Sequence, residues 1–283
     1  ERDKTRFKLH FEKGEVVGEL SKEPIRTVAT GTVIRWRPDI EVFTDINISP
    51  EFLKDVLQKQ SMVNDGVEFV FYNQTEDGME MYRYFYENGI VDYLKEQVGD
   101  ETLTTVENWT AERKGRDRED KPDYKVKMNI AFCFSNKVNM LEYYHNSSFL
   151  EHGGSPDKAV KNAFVFSIDK YLKQNNKYNK NESKITFADV NDCLALVISS
   201  FSTQTSYENQ TKKAINNKFI QDAMTEFFKS QLEVYLIENK ADAEKIANQV
   251  LVNKRSRENA EKARIDIKKK LTGTMDVSNR VEK

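Results

Sequence analysis

Apolar and polar residues alternate with a period of two over residues 5–20 and 28–37, the pattern of half-buried strands, and Gly14 and Gly18 mark turns. Ser49-Pro50 then supplies a cap and a first-turn proline ahead of a helix to about Gln60, with Phe52, Leu53, Val56 and Leu57 on one face. Asn64-Asp65-Gly66 ends that element. Val67–Tyr72 and Met79–Tyr86 read as the arms of a hairpin turned at Asp77-Gly78. A short helix over Ile90–Gln97 leads to Ala111–Lys121, which is so charged and so poor in apolar residues that a mobile loop is expected there. Strands follow at Tyr124–Ser135 and Val138–Asn146.

Gly153-Gly154 either lets another backbone pass closely or loosens the start of a helix, with Ser155 as N-cap and Pro156 at its first position. Val160, Phe164, Ile168, Tyr171 and Leu172 give that helix a buried stripe. Asn175–Asn181 is a polar loop. Thr186 and Asp189 have the spacing of a capping box for a short helix, and Cys193–Phe201 is apolar enough for a central strand. Strand, helix and strand in this order form a βαβ unit, for which general packing favours a right-handed crossover. Ile220, Met224, Phe227, Phe228, Leu232, Tyr235 and Leu236 recur at helical spacing, and the paired phenylalanines read as core. After a break at Asn239-Lys240 a second helix is expected to about Leu271. Its stripe of Ile246, Val250, Ala260, Ala263 and Ile267 is thinner and leaves one side exposed.

A chain of 283 residues with 38% hydrophobic content suffices for a sizeable core. No run approaches the ~18 consecutive apolar residues of a membrane span, and the charged start Glu1-Arg2-Asp3-Lys4 is unlike a signal peptide, so a cytoplasmic protein with no membrane partner is expected. Cys133 and Cys193 each lie in an apolar run and read as buried free thiols. His10, His145 and His152 have no ligand spacing, so no metal site is expected. The net charge of −2 conceals a basic segment, Lys254–Lys270, with eight Lys/Arg against three acids. A solvated helix face laced with pairs such as Glu258 to Lys262 is one reading, and attraction to phosphates is the other.

The tripeptide Gln210-Thr211-Lys212 places a lysine on a loop about eight residues past the central strand, where a compact, flexible ammonium suits a terminal phosphate. It recurs in order with other pieces: Thr30-Gly31-Thr32-Val33-Ile34-Arg35-Trp36-Arg37-Pro38-Asp39 followed by Glu41-Val42-Phe43, Asn64-Asp65-Gly66-Val67, Tyr86-Glu87-Asn88-Gly89-Ile90, Glu151-His152-Gly153-Gly154, and Asn253-Lys254-Arg255-Ser256-Arg257-Glu258. In these six segments, spread over nearly the whole chain, it resembles the ATPase subunits of bacterial type IIA DNA topoisomerases, the gyrase B and topoisomerase IV B group.

The resemblance implies an α+β fold: the C-terminal part of a GHKL-type ATPase domain over 1–89, then a ribosomal protein S5-like transducer domain over 90–217. Its βαβ crossover would be left-handed, against the general rule. Long C-terminal helices would follow over 218–272, and 273–283 would begin the linker to a metal-binding domain. It further implies coupling of ATP hydrolysis to DNA strand passage. Thr32, Gln210 and Lys212 would touch ATP, with Lys212 catalytic, and Lys254, Arg255, Arg257, Lys262 and Arg264 would face DNA.

Only about thirty residues precede the Thr30-Gly31-Thr32 segment, too few for the family's glutamate and asparagine helix or its glycine-rich lid. The expectation is therefore a chain that begins inside the ATPase domain and is inactive alone. ATP and Mg2+ would belong to the intact enzyme, as would a DNA-cleaving A-type subunit, double-stranded DNA and a second copy as partners. The alternative from another class is a non-catalytic interaction module that kept the fold without nucleotide coupling.

Overall fold

The computed structural model describes residues 1–28 and 30–281, with side chains up to Thr272. It divides into two compact units, Glu1–Asp55 and the chain from Val56 onward. The first is built on a hairpin of β1 (Thr5–Glu12) and β2 (Glu15–Pro24). Lys13 and Gly14, both at positive φ, make its turn. Gly18 is not a turn as the pattern predicts. It lies inside β2 at φ 78°, where the register slips between Lys8 and His10, the backbone of a bulge.

The predicted strand over 28–37 does not form. Its described residues lie in irregular, exposed chain, with Val33 97% exposed. Alternation alone cannot make a strand that lacks a ladder to join, and the pairing here goes no further than the two backbone bonds that Gly31 exchanges with Glu1. The helix α1 (Pro50–Val63) forms as read and runs one turn further, although Phe52, assigned to its inner face, is exposed.

The second unit opens with β3 (Phe69–Thr75) and β4 (Gly78–Tyr84), a hairpin turned at Asp77-Gly78 as expected, and α2 (Ile90–Val98). Its body is a five-stranded sheet in the order β5-β6-β10-β7-β8, from β5 (Glu107–Gly115), β6 (Tyr124–Phe134), β7 (Met140–His145), β8 (Ser148–Phe149) and β10 (Leu194–Ser202). The central strand β10 runs antiparallel to β6 and parallel to β7, with Leu196 opposite both Phe132 and Leu141.

Successive side chains on β6 and β10 go to opposite faces. Ile130, Phe132, Leu196 and Ile198 pack under α3 (Ser155–Gln174), α5 (Lys218–Glu238) and α6 (Lys240–Val281). Ala131, Cys133, Ala195 and Val197 pack under α2 and Met62. Both faces are covered, which is why these strands read as continuous apolar runs. Burial pushes the Cys133 thiol up to about 11 and Cys193 up to about 12, so both are inert structural thiols.

Three further expectations are corrected. Ala111–Gly115, assigned to a mobile loop, is the second half of β5: as an edge strand it leaves its charged side chains in water while its backbone bonds β6, and Glu112 pairs Lys125 across the ladder. The N-cap of α3 is Gly154, not Ser155, whose hydroxyl is drawn away to the carbonyls of Ile215 and Asn217 at 3.2 and 2.8 Å. The helix α6 continues to Val281, beyond Leu271, while Ala260, Ala263 and Ile267 on its expected stripe are exposed. The linker expected over 273–283 falls on residues whose side chains lie outside the described set.

The short helix α4 (Phe187–Asn191) begins at Thr186 as the capping spacing predicts, with the Asp189 carboxylate accepting from Thr186 N at 2.7 Å. Among the described residues no helix is long and apolar enough to cross a membrane.

Candidate functional site

Residues 203–213 connect the end of β10 to β11 (Ala214–Ile215), and this loop carries Gln210 and Lys212. It stands on two feet. At the β10 end, the parallel register sets His145, last residue of β7, beside Ser200. The His145 ring is fully buried and bonds Ser200 Oγ through Nδ1 at 2.8 Å, and Thr205 Oγ1 and Ser202 Oγ through Nε2 at 3.0 and 3.1 Å.

The Ser202 hydroxyl donates to Gln204 O at 2.8 Å, so its oxygen faces Nε2 as an acceptor, and the Ser200 hydroxyl has both Nδ1 and Tyr144 O, at 3.1 Å, within reach. The tautomer that gives every ring contact a donor and an acceptor has Nδ1 accepting from Ser200 and Nε2–H donating to Thr205 Oγ1 and Ser202 Oγ. Burial pushes the imidazole down to about 4, which keeps the ring neutral at physiological pH. Asn146 Nδ2 adds bonds to Ser202 O and Thr205 Oγ1, both at 3.1 Å.

At the other foot, β11 pairs parallel with β9 (Gly153–Gly154). A Cβ on Gly154 would sit 2.1 Å from the Ile215 carbonyl oxygen, so the double glycine does serve a close backbone approach. A lateral brace completes the mount. Ser206 N donates to Asn217 Oδ1 at 2.7 Å, and Asn217 Nδ2 donates to Asp117 Oδ2 at 2.9 Å. Asp117 Oδ1 in turn accepts from Phe219 N at 2.9 Å, tying the first turn of α5 to the same carboxylate. Burial and the bond to Asp117 hold the Tyr124 phenol well above its usual range, so it stays a donor.

Between the feet the tip is exposed and locally fixed by an Asx-turn, with Thr211 N on Asn209 Oδ1 at 3.2 Å and Lys212 N on Asn209 O at 3.3 Å. Lys212 adopts φ 58°, a left-handed conformation rare for a side chain with a Cβ. Its Nζ lies 5.7 Å from the Tyr207 ring centroid, and no carboxylate among the described residues pairs with it. Lys213 points elsewhere, into an ion pair with Glu151. The two adjacent lysines thus diverge, one held and one open. Thr32 is exposed in the irregular part of the first unit.

The basic segment of α6 is arranged otherwise than its charge count predicts. Lys254 is wholly buried, with Nζ 3.1 Å from Glu182 and 3.0 Å from Glu258. A buried ammonium held by two carboxylates cannot reach a phosphate, so the DNA contact expected of Lys254 gives way to an internal ion pair. Arg255 grips Glu182 with two bonds of 3.0 Å, and Arg257 grips Asp189 at 2.7 and 3.1 Å. The Arg255 bonds hold the Glu182 carboxyl down at about 2. Burial works against ionisation of Asp189, yet the Arg257 and Thr186 bonds leave its carboxyl below the usual range. Arg255 and Arg257 stay partly exposed, Arg264 pairs with Glu261, and Lys262 is exposed without an ion pair among the described residues.

The sequence reading missed the mount of the loop: His145, Asn146, Thr205, Asn217 and Asp117. A signal was present, since Ser200 and Ser202 put two hydroxyls on one face of an otherwise apolar strand. Among the described residues no group of three His, Cys, Asp or Glu could hold a metal ion.

The sequence model of the DNA gyrase B family matches residues 89–265. The DNA gyrase B protein of Mycoplasma genitalium is 24% identical over 258 residues, which cover 89% of this chain and 39% of that protein. The chain therefore spans about two fifths of the length of such a relative. The 43K ATPase domain of Thermus thermophilus gyrase B in complex with an aminocoumarin shares the fold at TM-score 0.66 and 19% identity, over 93% of this chain and 69% of that one. The topoisomerase IV ATP-binding domain of Francisella tularensis in complex with a small-molecule inhibitor does so at TM-score 0.64 and 23% identity, over 91% and 68%. A family match over more than half of the chain, in line with the open lysine on its braced loop, shows that the chain belongs to the DNA gyrase B and topoisomerase IV B family.

Proposed function

We propose that this chain is the region of a type IIA topoisomerase ATPase subunit that couples ATP to DNA strand passage. In this reading residues 1–89 end the GHKL-type ATP-binding domain, 90–217 are an S5-like transducer with a left-handed crossover from β7 to β10, and 218–272 are its helices. The observation that carries the reading is the loop itself. A lysine held on a twice-anchored loop, exposed, beside a glutamine and without a carboxylate partner among the described residues is a cation kept for an external anion.

Lys212 would meet the terminal phosphate of ATP and stabilise charge as the phosphoryl group leaves. Gln210 would bond the same phosphate, and Thr32 is the candidate nucleotide contact of the first unit. Mg2+ would accompany ATP in the intact enzyme. Double-stranded DNA, a DNA-cleaving A-type subunit and a second copy would be the partners, in the cytoplasm. Arg255, Arg257, Lys262 and Arg264 remain the candidates for phosphate contacts on α6.

The test is steady-state ATPase of the full-length protein. Removing a charge that acts on the transferring group costs roughly 3–4 kcal/mol, so Lys212→Ala should lower kcat by about 10²–10³ at near-native melting temperature. Lys213→Ala should stay within about threefold of the parent. If Lys213→Ala were the inactive variant, the roles of the two lysines would be reversed. If neither variant lost activity, the chain would be an interaction module.

A further inference from the structure

We propose that His145 is a positioning residue for the loop of Gln210 and Lys212, acting through its Nε2 bond to Thr205 rather than through the sheet. The inference rests on the reading of Lys212 above and adds to it a residue that neither the motifs nor the family match singles out. His145 sits at the junction of the sheet and the loop. Its Nδ1 is bonded to β10 through Ser200, and its Nε2 reaches Thr205, three residues beyond the end of β10 and five before Gln210.

The Thr205 hydroxyl is held from two sides, by His145 Nε2 at 3.0 Å and by Asn146 Nδ2, which donates to it at 3.1 Å. Two side chains from the end of β7 thus fix one loop hydroxyl. Losing either partner leaves a buried acceptor or donor unmatched, which favours alternative loop arrangements over the observed one. The tip beyond has its own Asx-turn, so its shape survives while its placement does not.

Three variants separate positioning from general structure. His145→Asn keeps a hydrogen-bonding group near Ser200 and loses the reach to Thr205. His145→Gln keeps a hydrogen-bonding group at the Nε2 position, and Thr205→Val removes the loop hydroxyl without touching the core. In this chain, hydrogen exchange of the 206–213 amides should quicken at least tenfold in His145→Asn and Thr205→Val, and return within threefold of the parent in His145→Gln. Amides of β6 and α3 should keep their rates. Exchange that quickens equally throughout the sheet, or not at all in the loop, overturns the proposal and leaves the reading of Lys212 intact.

In the full-length protein, His145→Asn should lower kcat for ATP about tenfold with KM within twofold. On a Lys212→Ala background it should cost less than twofold further, since a positioning residue has nothing left to position. A full tenfold loss on that background also overturns the proposal. Should Lys212→Ala alone keep its activity, the underlying reading fails instead, and the proposal with it.

Discussion

At the scale of single residues, His145 makes the clearest pH prediction. Its folded value near 4 lies below the ordinary 6.5, so between these values the unfolded chain binds a proton that the folded one refuses. The stabilisation is whole above about pH 6.5 and is lost as pH falls toward 4, a difference of roughly 3 kcal/mol at most. Urea unfolding of the parent and of His145→Gln at pH 7 and pH 4.5 should show a larger acid loss in the parent by about 2 kcal/mol. Equal losses would mean the ring is protonated in the fold. Such a role was hidden in the sequence because a histidine without ligand spacing reads as surface or core alike. Only the β7 to β10 register reveals its partners.

At the scale of elements, the β9 to β11 pairing depends on one atom that is missing. Gly154 combines φ 80° with an Ile215 carbonyl where a Cβ would stand, so Gly154→Ala should destabilise by about 2 kcal/mol or more, read by denaturant midpoint. A loss under about 0.5 kcal/mol would mean that β11 can retreat without cost. The sequence offered this purpose as one of two readings of the double glycine, and it held β6, β10, α3 and α5 outright, whose apolar runs and stripes are long enough to identify themselves. It failed where tertiary partners decide. Residues 28–37 alternate like a strand but find no ladder, whereas Ala111–Gly115 looks like a charged loop but is recruited by β6. The basic stretch of α6 failed for a related reason: a charge count cannot see Glu182 and Asp189, some seventy residues away, pairing with three of its cations.

At the scale of the whole molecule, those ion pairs change where DNA affinity should come from. With Lys254 internal, any attraction of duplex belongs to the exposed positions, Lys262, Lys268 and Lys269 among them. Contacts to phosphates release counterions and read no sequence, so binding should be weak, indifferent to sequence and lost with salt. Replacing those three lysines with glutamine should flatten the slope of affinity against salt by about two to three phosphates' worth. Lys254→Met should leave the slope unchanged while altering stability. If Lys254→Met flattened the slope and the triple variant did not, the internal ion pair would be the wrong arrangement in solution.

The most direct test asks which amine lies at the terminal phosphate of ATP. An ATP analogue bearing an acyl group on its γ-phosphate, a mixed anhydride, acylates a lysine within reach: the amine attacks the acyl carbonyl, an amide forms and ATP departs. With the full-length protein and mass-spectrometric mapping, the label should appear on Lys212 and be abolished by excess ATP. Lys213, engaged with Glu151, should stay unmodified. Label protected by ATP on Lys213, or on neither lysine of the loop, would contradict the assignment of Lys212 to the phosphate.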